Sequence, residues 1–233
     1  MILLLFGCMG SLHSSEGSDR IRGALWFAGR ESELNGTASE GEGATTPNAA
    51  LVILANSTLP CEPEQVESSD DGLDQAAAAE QYWGGQVLSA FSREGAIVVL
   101  LGLYTWSDGL SGDYAISENA LQDHLDLLAA EPRVGFGAWV RVNESAVDET
   151  YGMFSTYAIT DIDYEPAAGA ASEVSVAVRG NPEDEVADGE TLTGDFVLEP
   201  SGMSGAFRAE RCDNRTLYNH VVAQVVALQY LLQ

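Results

Sequence analysis

Two aspartates at alternate positions, Asp161 and Asp163, are the first candidates for chemistry in this sequence. Residues 153–164 have the apolar content of a β-strand, and alternate residues of a strand share one face. Two such carboxyls lie about 6–7 Å apart, within the range of about 5–9 Å that glycoside hydrolysis uses, and they also suit a metal ion. An exported acidic hydrolase is therefore one hypothesis, and a solvated acidic strand face is the alternative.

A second acidic cluster, Asp70-Asp71-Gly72-Leu73-Asp74, partly resembles a calcium loop. It lacks the full D-x-[DN]-x-[DN]-G spacing and the glutamate at the twelfth position of such a loop. The sequence requires no cofactor. Calcium is the one ion that either acidic cluster would suit, as part of a calcium-dependent adhesion module.

Signatures of the common enzyme classes are absent from the sequence. It contains no GxSxG, no HExxH, no phosphate-binding loop and no dinucleotide fingerprint. The histidines His13, His124 and His220 are far apart, and we expect His124 on the solvated side of a helix. No residue is predicted to be catalytic, and a protein without enzymatic activity is favoured.

Three of the four tryptophans are candidates for a binding surface. Trp83 and Trp106 lie in predicted loops, and Trp139 alternates with Phe136 along a predicted strand, so we expect it to point away from the core. Exposed aromatic side chains on a β scaffold suit the binding of a sugar or a peptide. Core packing is the more common role of tryptophan, and we assign Trp26 to it.

The charge of the chain is strongly negative, with 36 acidic against 10 basic residues and a formal net charge of −26. All the basic residues are arginine. Such a surface repels nucleic-acid phosphates and anionic lipid headgroups, so nucleic acid is excluded as a partner. The acids are spread along the chain, which favours a general property such as salt adaptation or solubility over one cation site.

The first eight residues form an apolar run that stops at Cys8. Leu5-Phe6-Gly7-Cys8 resembles the lipobox of bacterial lipoproteins, in which the cysteine is acylated and becomes the mature N-terminus. The basic residues that precede the apolar run of a signal peptide are missing, so we expect the true start to lie upstream. No stretch of the sequence reaches the ~18 apolar residues of a membrane span.

This resemblance implies a domain organisation and a location. Residues 1–8 would be the signal and lipobox, residues 9–20, which are polar and rich in Ser and Gly, a flexible tether, and residues 21–233 one acidic β-rich domain. The domain would be exported and held by lipid on Cys8 at the bacterial cell envelope, on the outer membrane or the cell surface.

Two further cysteines, Cys61 and Cys212, remain once Cys8 is assigned. An even remainder in an exported chain predicts a disulfide, and two buried free thiols are the alternative. Pro60-Cys61 and the late G-x-F-x-A-x-x-C pattern of residues 205–212 look like a group of exported lipoproteins from myxobacteria and related bacteria. In that group a lipobox precedes an all-β domain framed by two such cysteines. The resemblance covers most of residues 21–212 and implies no activity.

Short apolar or alternating segments, separated by acidic turns that contain Gly and Pro, dominate the rest of the chain. Strands are predicted at 22–28, 50–57, 86–92, 95–104, 134–142, 153–164, 172–179, 191–198 and 204–210, and helices at 119–130 and 216–232. The continuous apolar run Ile97 to Leu103 predicts a central strand covered on both faces. The fold class is mainly β, an antiparallel β-sandwich or barrel with one or two peripheral helices.

The function that these features favour is that of a lipid-anchored envelope domain with a structural or binding role. Its partners would be the membrane, through the N-terminal lipid, and an envelope protein or a glycan.

Overall fold

The described part of the chain is mainly β-strand. A computed structural model describes residues 9–15, 17–30, 47–59, 61, 93–107, 109–117, 120–151, 154–166, 172–179, 191–214 and 217–220. The strands are β1 (Gly10–Ser14), β2 (Gly17–Ile21), β3 (Gly23–Arg30), β4 (Asn48–Ala55), β5 (Ile97–Thr105), β6 (Gly112–Ile116), β7 (Arg133–Tyr151), β8 (Phe154–Pro166), β9 (Glu173–Arg179), β10 (Thr191–Leu198) and β11 (Met203–Arg211). Helix α1 spans Ala120–Leu128, and residues 217–220 are also helical. The predicted strand 86–92 and the Asp70–Asp74 cluster lie outside the described residues.

Eight of these strands close into a barrel in the order β10-β9-β6-β7-β5-β4-β3-β11, and β10 pairs with β11 to complete the circle. Most pairs are antiparallel. The pairs β6–β7 and β11–β3 are parallel, and each is only two residue pairs long. The predicted mainly β class is confirmed, and of its two architectures the chain adopts the barrel, with short helices outside.

The strand β5 is buried on both faces, as its continuous apolar sequence predicts. Val99, Leu101 and Leu103 point into the barrel, where they pack against Trp26 and other core side chains. On the outer face, Val98 and Leu100 join a second apolar cluster with the helical residues Leu217 and Tyr218. Full burial of a Val or Leu side chain stabilises a fold by about 1.5–3 kcal/mol, so β5 stabilises the barrel through both of its faces.

Strand β7 differs from its sequence-based interpretation. The apolar face from Val134 to Val142 is buried, but it lies on the outside of the barrel, where Phe136 and Ala138 pack against Ala120 of α1. Trp139 pairs with the inward-facing Val99 and packs, partly buried, against the barrel interior. The expectation that Trp139 points away from the core is therefore wrong, because α1 gives the strand an apolar environment on both sides.

Residues 9–20 are not a flexible tether. Strands β1 and β2 form a hairpin, and β1 pairs with β11 beside the barrel, with Gly10 opposite Phe207. Leu12 is only 2 % exposed and Ile21 is buried with it in the interior core. One inward apolar residue per strand is enough to dock the hairpin, and the outward polar residues account for the Ser-rich composition.

The hairpin of β7 and β8 is longer than its pairing with the rest of the sheet. Strand β5 pairs with β7 only as far as Arg141, whereas β8 pairs with β7 from Ala138 to Tyr151. Residues 143–151 and 154–162 of this hairpin pair with no other described strand, and we call them the β7–β8 arm. It includes most of the strand predicted at 153–164.

The β1–β2 hairpin predicts a sharp contrast between two leucine substitutions. Leu12→Ala should lower the free energy of unfolding by about 2–5 kcal/mol, since it opens a cavity in the core. Leu125→Ala removes the same atoms from a side chain that is 51 % exposed, and its effect should stay within about 0.5 kcal/mol. Denaturant unfolding of both variants tests this. Equally small effects would mean that the hairpin is not part of the barrel core.

Candidate functional site

The acidic pair Asp161 and Asp163 lies on strand β8, where it leaves the barrel. Asp163 is exposed, and its Oδ2 accepts a hydrogen bond of 2.9 Å from the Asn143 amide. Asp161 is opposite Glu144 in the strand register, next to an irregularity in the pairing. The described environment of Asp163 is that of a surface carboxylate. Among the described residues, no group of three or more His, Cys, Asp or Glu side chains is arranged to hold a metal ion.

The tryptophan candidates have different surroundings. Trp106 is 45 % exposed just after β5, whereas Trp26 is 1 % exposed in the core, as predicted. Trp139 faces the interior, its Nε1 is buried with no hydrogen-bond partner in the described part of the chain, and the Arg141 guanidinium lies 6.0 Å from its ring centroid. Trp83 lies outside the described residues. Trp106 is thus the only one of the three whose described position suits ligand contact.

Helix α1 contacts the end of β5 through a pair of stacked rings, two residues before Trp106. The Tyr104 and His124 rings stack with centroids 4.3 Å apart and planes 14° from parallel. Trp106 follows Tyr104 by two residues, and Leu125, which is 51 % exposed, follows His124. We call Tyr104, Trp106, His124 and Leu125 the aromatic surface, in which Trp106 and Leu125 are the exposed members and His124 is buried.

Hydrogen bonds hold the turn that carries Trp106. After β5, the Ser107 amide donates to Thr105 Oγ1, and the Asn48 side chain donates to the Ser107 carbonyl. His124 is 7 % exposed, so the expectation of a solvated histidine is wrong. The stack joins residues from two elements, and no pattern within the helix sequence alone indicates it.

The predicted disulfide between Cys61 and Cys212 is confirmed, with a Cα–Cα distance of 5.6 Å. It ties the end of β11 to the segment after β4. Cys212 is buried in the outer apolar cluster, and its amide donates to the Trp26 carbonyl. The Asn214 side chain donates to the Cys61 carbonyl at 3.2 Å. The bridge is therefore a structural element of the barrel wall.

A buried tyrosine and an arginine meet inside the barrel, and sequence reasoning missed both. The Tyr114 hydroxyl donates to the Leu110 carbonyl at 2.7 Å, and Arg133 is near enough for its charge to act on the Tyr114 pKa. Gly112 makes room for Arg133, because a Cβ at that position would lie 2.6 Å from the arginine Nε. Burial raises the pKa of Tyr114 from 10.0 to about 12, and the Arg133 guanidinium partly offsets this rise. Strand alternation does place Arg133 on the inner face with Gly135, and this was the available signal.

Comparison with protein-family models, with curated proteins and with solved structures finds no match to this chain. Within the described part of the chain, none of the helices has the length and apolar character that crossing a membrane requires. The function has to be inferred from the residues themselves.

The buried Tyr114 predicts a pH dependence at the alkaline end. Because its pKa in the folded state is above the unfolded value, the unfolded chain loses this proton first as the pH rises. Stability that depends on Tyr114 is therefore complete below about pH 10 and is lost as the pH approaches 12. A spectrophotometric titration should show one tyrosine that ionises near pH 12. This late step should be missing in Tyr114→Phe, and an unchanged titration in that variant would contradict the assignment.

Proposed function

We propose that this protein is an exported, lipid-anchored domain of the bacterial cell envelope that binds an envelope protein or a glycan through its aromatic surface. The observation that carries the proposal is the separation of two features along β5. Met9, the residue after Cys8, lies at the end of the barrel where this strand starts, and the exposed Trp106 follows the other end of the strand.

The position of Cys8 supports the anchor. Strand β1 begins at Gly10, and the Met9 carbonyl accepts a hydrogen bond of 2.8 Å from the Arg208 amide. Only one residue therefore separates Cys8 from the first strand. An acyl group on Cys8 would hold the barrel directly at the bilayer surface, with no flexible spacer.

The disulfide supports export. A bridge such as Cys61–Cys212 persists in oxidising compartments and is rare in the cytosol of most organisms. The third cysteine, Cys8, is then left for acylation, as the lipobox resemblance implies.

The aromatic surface supports the binding role. Strand β5 has nine residues, so its two ends are about 30 Å apart. The Asn56 amide donates to the Ile97 carbonyl at the start of β5, and Ala55 beside it accepts from the Arg22 amide, next to the β1–β2 hairpin. An anchor at this end would direct Trp106 and Leu125 away from the membrane. Tryptophan is among the residues most enriched at the centres of binding energy in interfaces, so Trp106 is the expected anchor of this surface.

Intact-mass analysis after expression in a bacterium that processes lipoproteins tests the anchor. We expect a mature species that begins at Cys8 and carries lipid, because acylation fixes the cleavage at that residue. Cys8→Ser should remain unlipidated. An unmodified wild-type chain that retains Met1 would contradict the anchor.

Trp106→Ala tests the binding role, in the unlipidated Cys8→Ser background so that the anchor does not contribute. Cosedimentation with isolated cell envelopes should weaken about tenfold or more, since exposed anchor residues typically contribute above 1.4 kcal/mol. Trp106→Phe, which keeps an aromatic ring, is the matched control and should retain most of the binding. Protease or periodate treatment of the envelopes separates a protein partner from a glycan. Equal binding by Trp106→Ala would exclude this surface.

A further inference from the structure

We propose that four exposed arginines around the N-terminal strand bind the phosphate groups of anionic phospholipids and seat the barrel on the membrane. They are Arg20, Arg22, Arg93 and Arg208, and we call them the anchor patch. This inference rests on the proposed lipid anchor at Cys8 and adds the orientation of the barrel and the kind of lipid it contacts.

The strand register places two of these arginines on either side of the chain that leads to Cys8. Gly10 lies opposite Ile21 of β2 and opposite Phe207 of β11. The next residues along these two strands are Arg22 and Arg208, so they flank Met9, and the Arg208 amide donates to the Met9 carbonyl. Met9, the residue after Cys8, therefore lies between two arginines whose side chains are exposed.

The other two arginines extend the same patch. Arg20 is opposite Ser11, which is itself opposite Ala206, so Arg20 lies on the outward face two strands from β11. Arg93 donates from its Nη2 to the Asn56 carbonyl at 3.2 Å. Asn56 follows Ala55, whose carbonyl accepts from the Arg22 amide at 2.9 Å. All four side chains thus belong to neighbouring segments at one end of β5.

The distribution of charge makes this patch unlike the rest of the surface. The structure describes the side chains of seven arginines, and the other three, Arg133, Arg141 and Arg211, are partly buried. None of the four patch arginines forms an ion pair with a described carboxylate, whereas Arg211 pairs with Asp213 at 3.1 Å. Three exposed acids share these segments, namely Asp19, Glu94 and Glu210, and a fourth, Asp195, lies on the neighbouring strand β10 opposite Ala206. The patch is therefore balanced, although the whole chain has 36 acids and 10 bases.

Phospholipid headgroups are the occupant that this arrangement fits. Arginine binds phosphate oxygens with two parallel hydrogen bonds, and unpaired exposed guanidinium groups are available for it. An acyl chain on Cys8 would bring lipid phosphates next to Arg22 and Arg208. The general repulsion between this acidic chain and anionic lipids is weakest in that orientation, because the carboxylates there are matched by arginines.

A vesicle-binding assay tests the patch independently of lipidation in the cell. Cys8 is the only cysteine outside the disulfide, so a single acyl chain can be coupled to it in the purified full chain. One chain gives weak, reversible binding, which leaves room to measure a second contribution. Binding is compared on vesicles of phosphatidylcholine alone and of phosphatidylcholine mixed with phosphatidylglycerol.

We expect Arg22→Gln and Arg208→Gln each to weaken binding to the mixed vesicles about fivefold, the effect of one basic residue near an anionic surface. Ala130→Glu changes the net charge by the same amount at an exposed position beyond the other end of β5, and it should have little effect. The difference between these variants should fade in high salt, as the screening length falls from about 10 Å to about 3 Å.

Equal effects of Arg22→Gln and Ala130→Glu would overturn the inference, because they would show a response to net charge alone. If the arginine substitutions weakened binding equally to both kinds of vesicle, the inference would also be overturned. Self-association of the acylated chain that these substitutions abolish would overturn it too, because the patch would then bind a second copy of the chain. Failure of the cell to lipidate Cys8 would refute the proposed anchor but would leave this result unchanged.

Discussion

The barrel depends on how its two short parallel strand pairs, β6–β7 and β11–β3, are held together. We call these two pairs the seams of the barrel. The antiparallel pairs β3–β4, β4–β5 and β5–β7 share eight or nine residue pairs, whereas β6–β7 and β11–β3 share two each. So short a parallel pairing supplies few backbone hydrogen bonds. The β11–β3 seam is reinforced by the Cys61–Cys212 disulfide. The β6–β7 seam is bridged by α1, which connects the two strands and packs on Phe136 and Ala138.

The elements that close these seams also form the two candidate surfaces, the aromatic surface and the anchor patch. Helix α1, which covers one seam, also brings His124 and Leu125 to the end of β5 and so builds the aromatic surface. Strand β11, which closes the other, brings Arg208 next to Met9 and to the residues of the first hairpin. The constraint that closes the barrel therefore also determines what its two ends present to the surroundings.

Whether an element could be predicted from the sequence depends on how many of its faces are buried and on how many apolar residues each face carries. Strands such as β5 and β10 carry strong apolar patterns and were predicted close to their observed bounds, as was α1. The hairpin β1–β2 was missed because one apolar residue per strand gives no periodic signal. In β7 both faces are covered, so alternation located the strand but could not tell which face lies inside, and Trp139 was assigned to the wrong side.

The site was less predictable, because its residues come together only in three dimensions. The disulfide could be predicted from the number of cysteines, and Trp106 could be predicted as a binding residue because it lies in a loop. Arg22 and Arg208, or Tyr104 and His124, are distant in sequence, and no local pattern links them. In an acidic chain, a single arginine does not indicate a binding surface, whereas a cluster of arginines in the folded structure does.

Because β11 is the last strand in the chain order of the barrel, the barrel cannot close during synthesis until this strand is available. It pairs with β10, β1 and β3, and the two bridged cysteines are 151 residues apart. A polypeptide delivered from its N-terminus cannot complete the barrel until residue 212 has emerged. Until then β1 and β3 present unpaired edges that invite association with other chains. The growing chain is thus most exposed to association with other chains just before β11 emerges, and rapid arrival of this strand shortens that period.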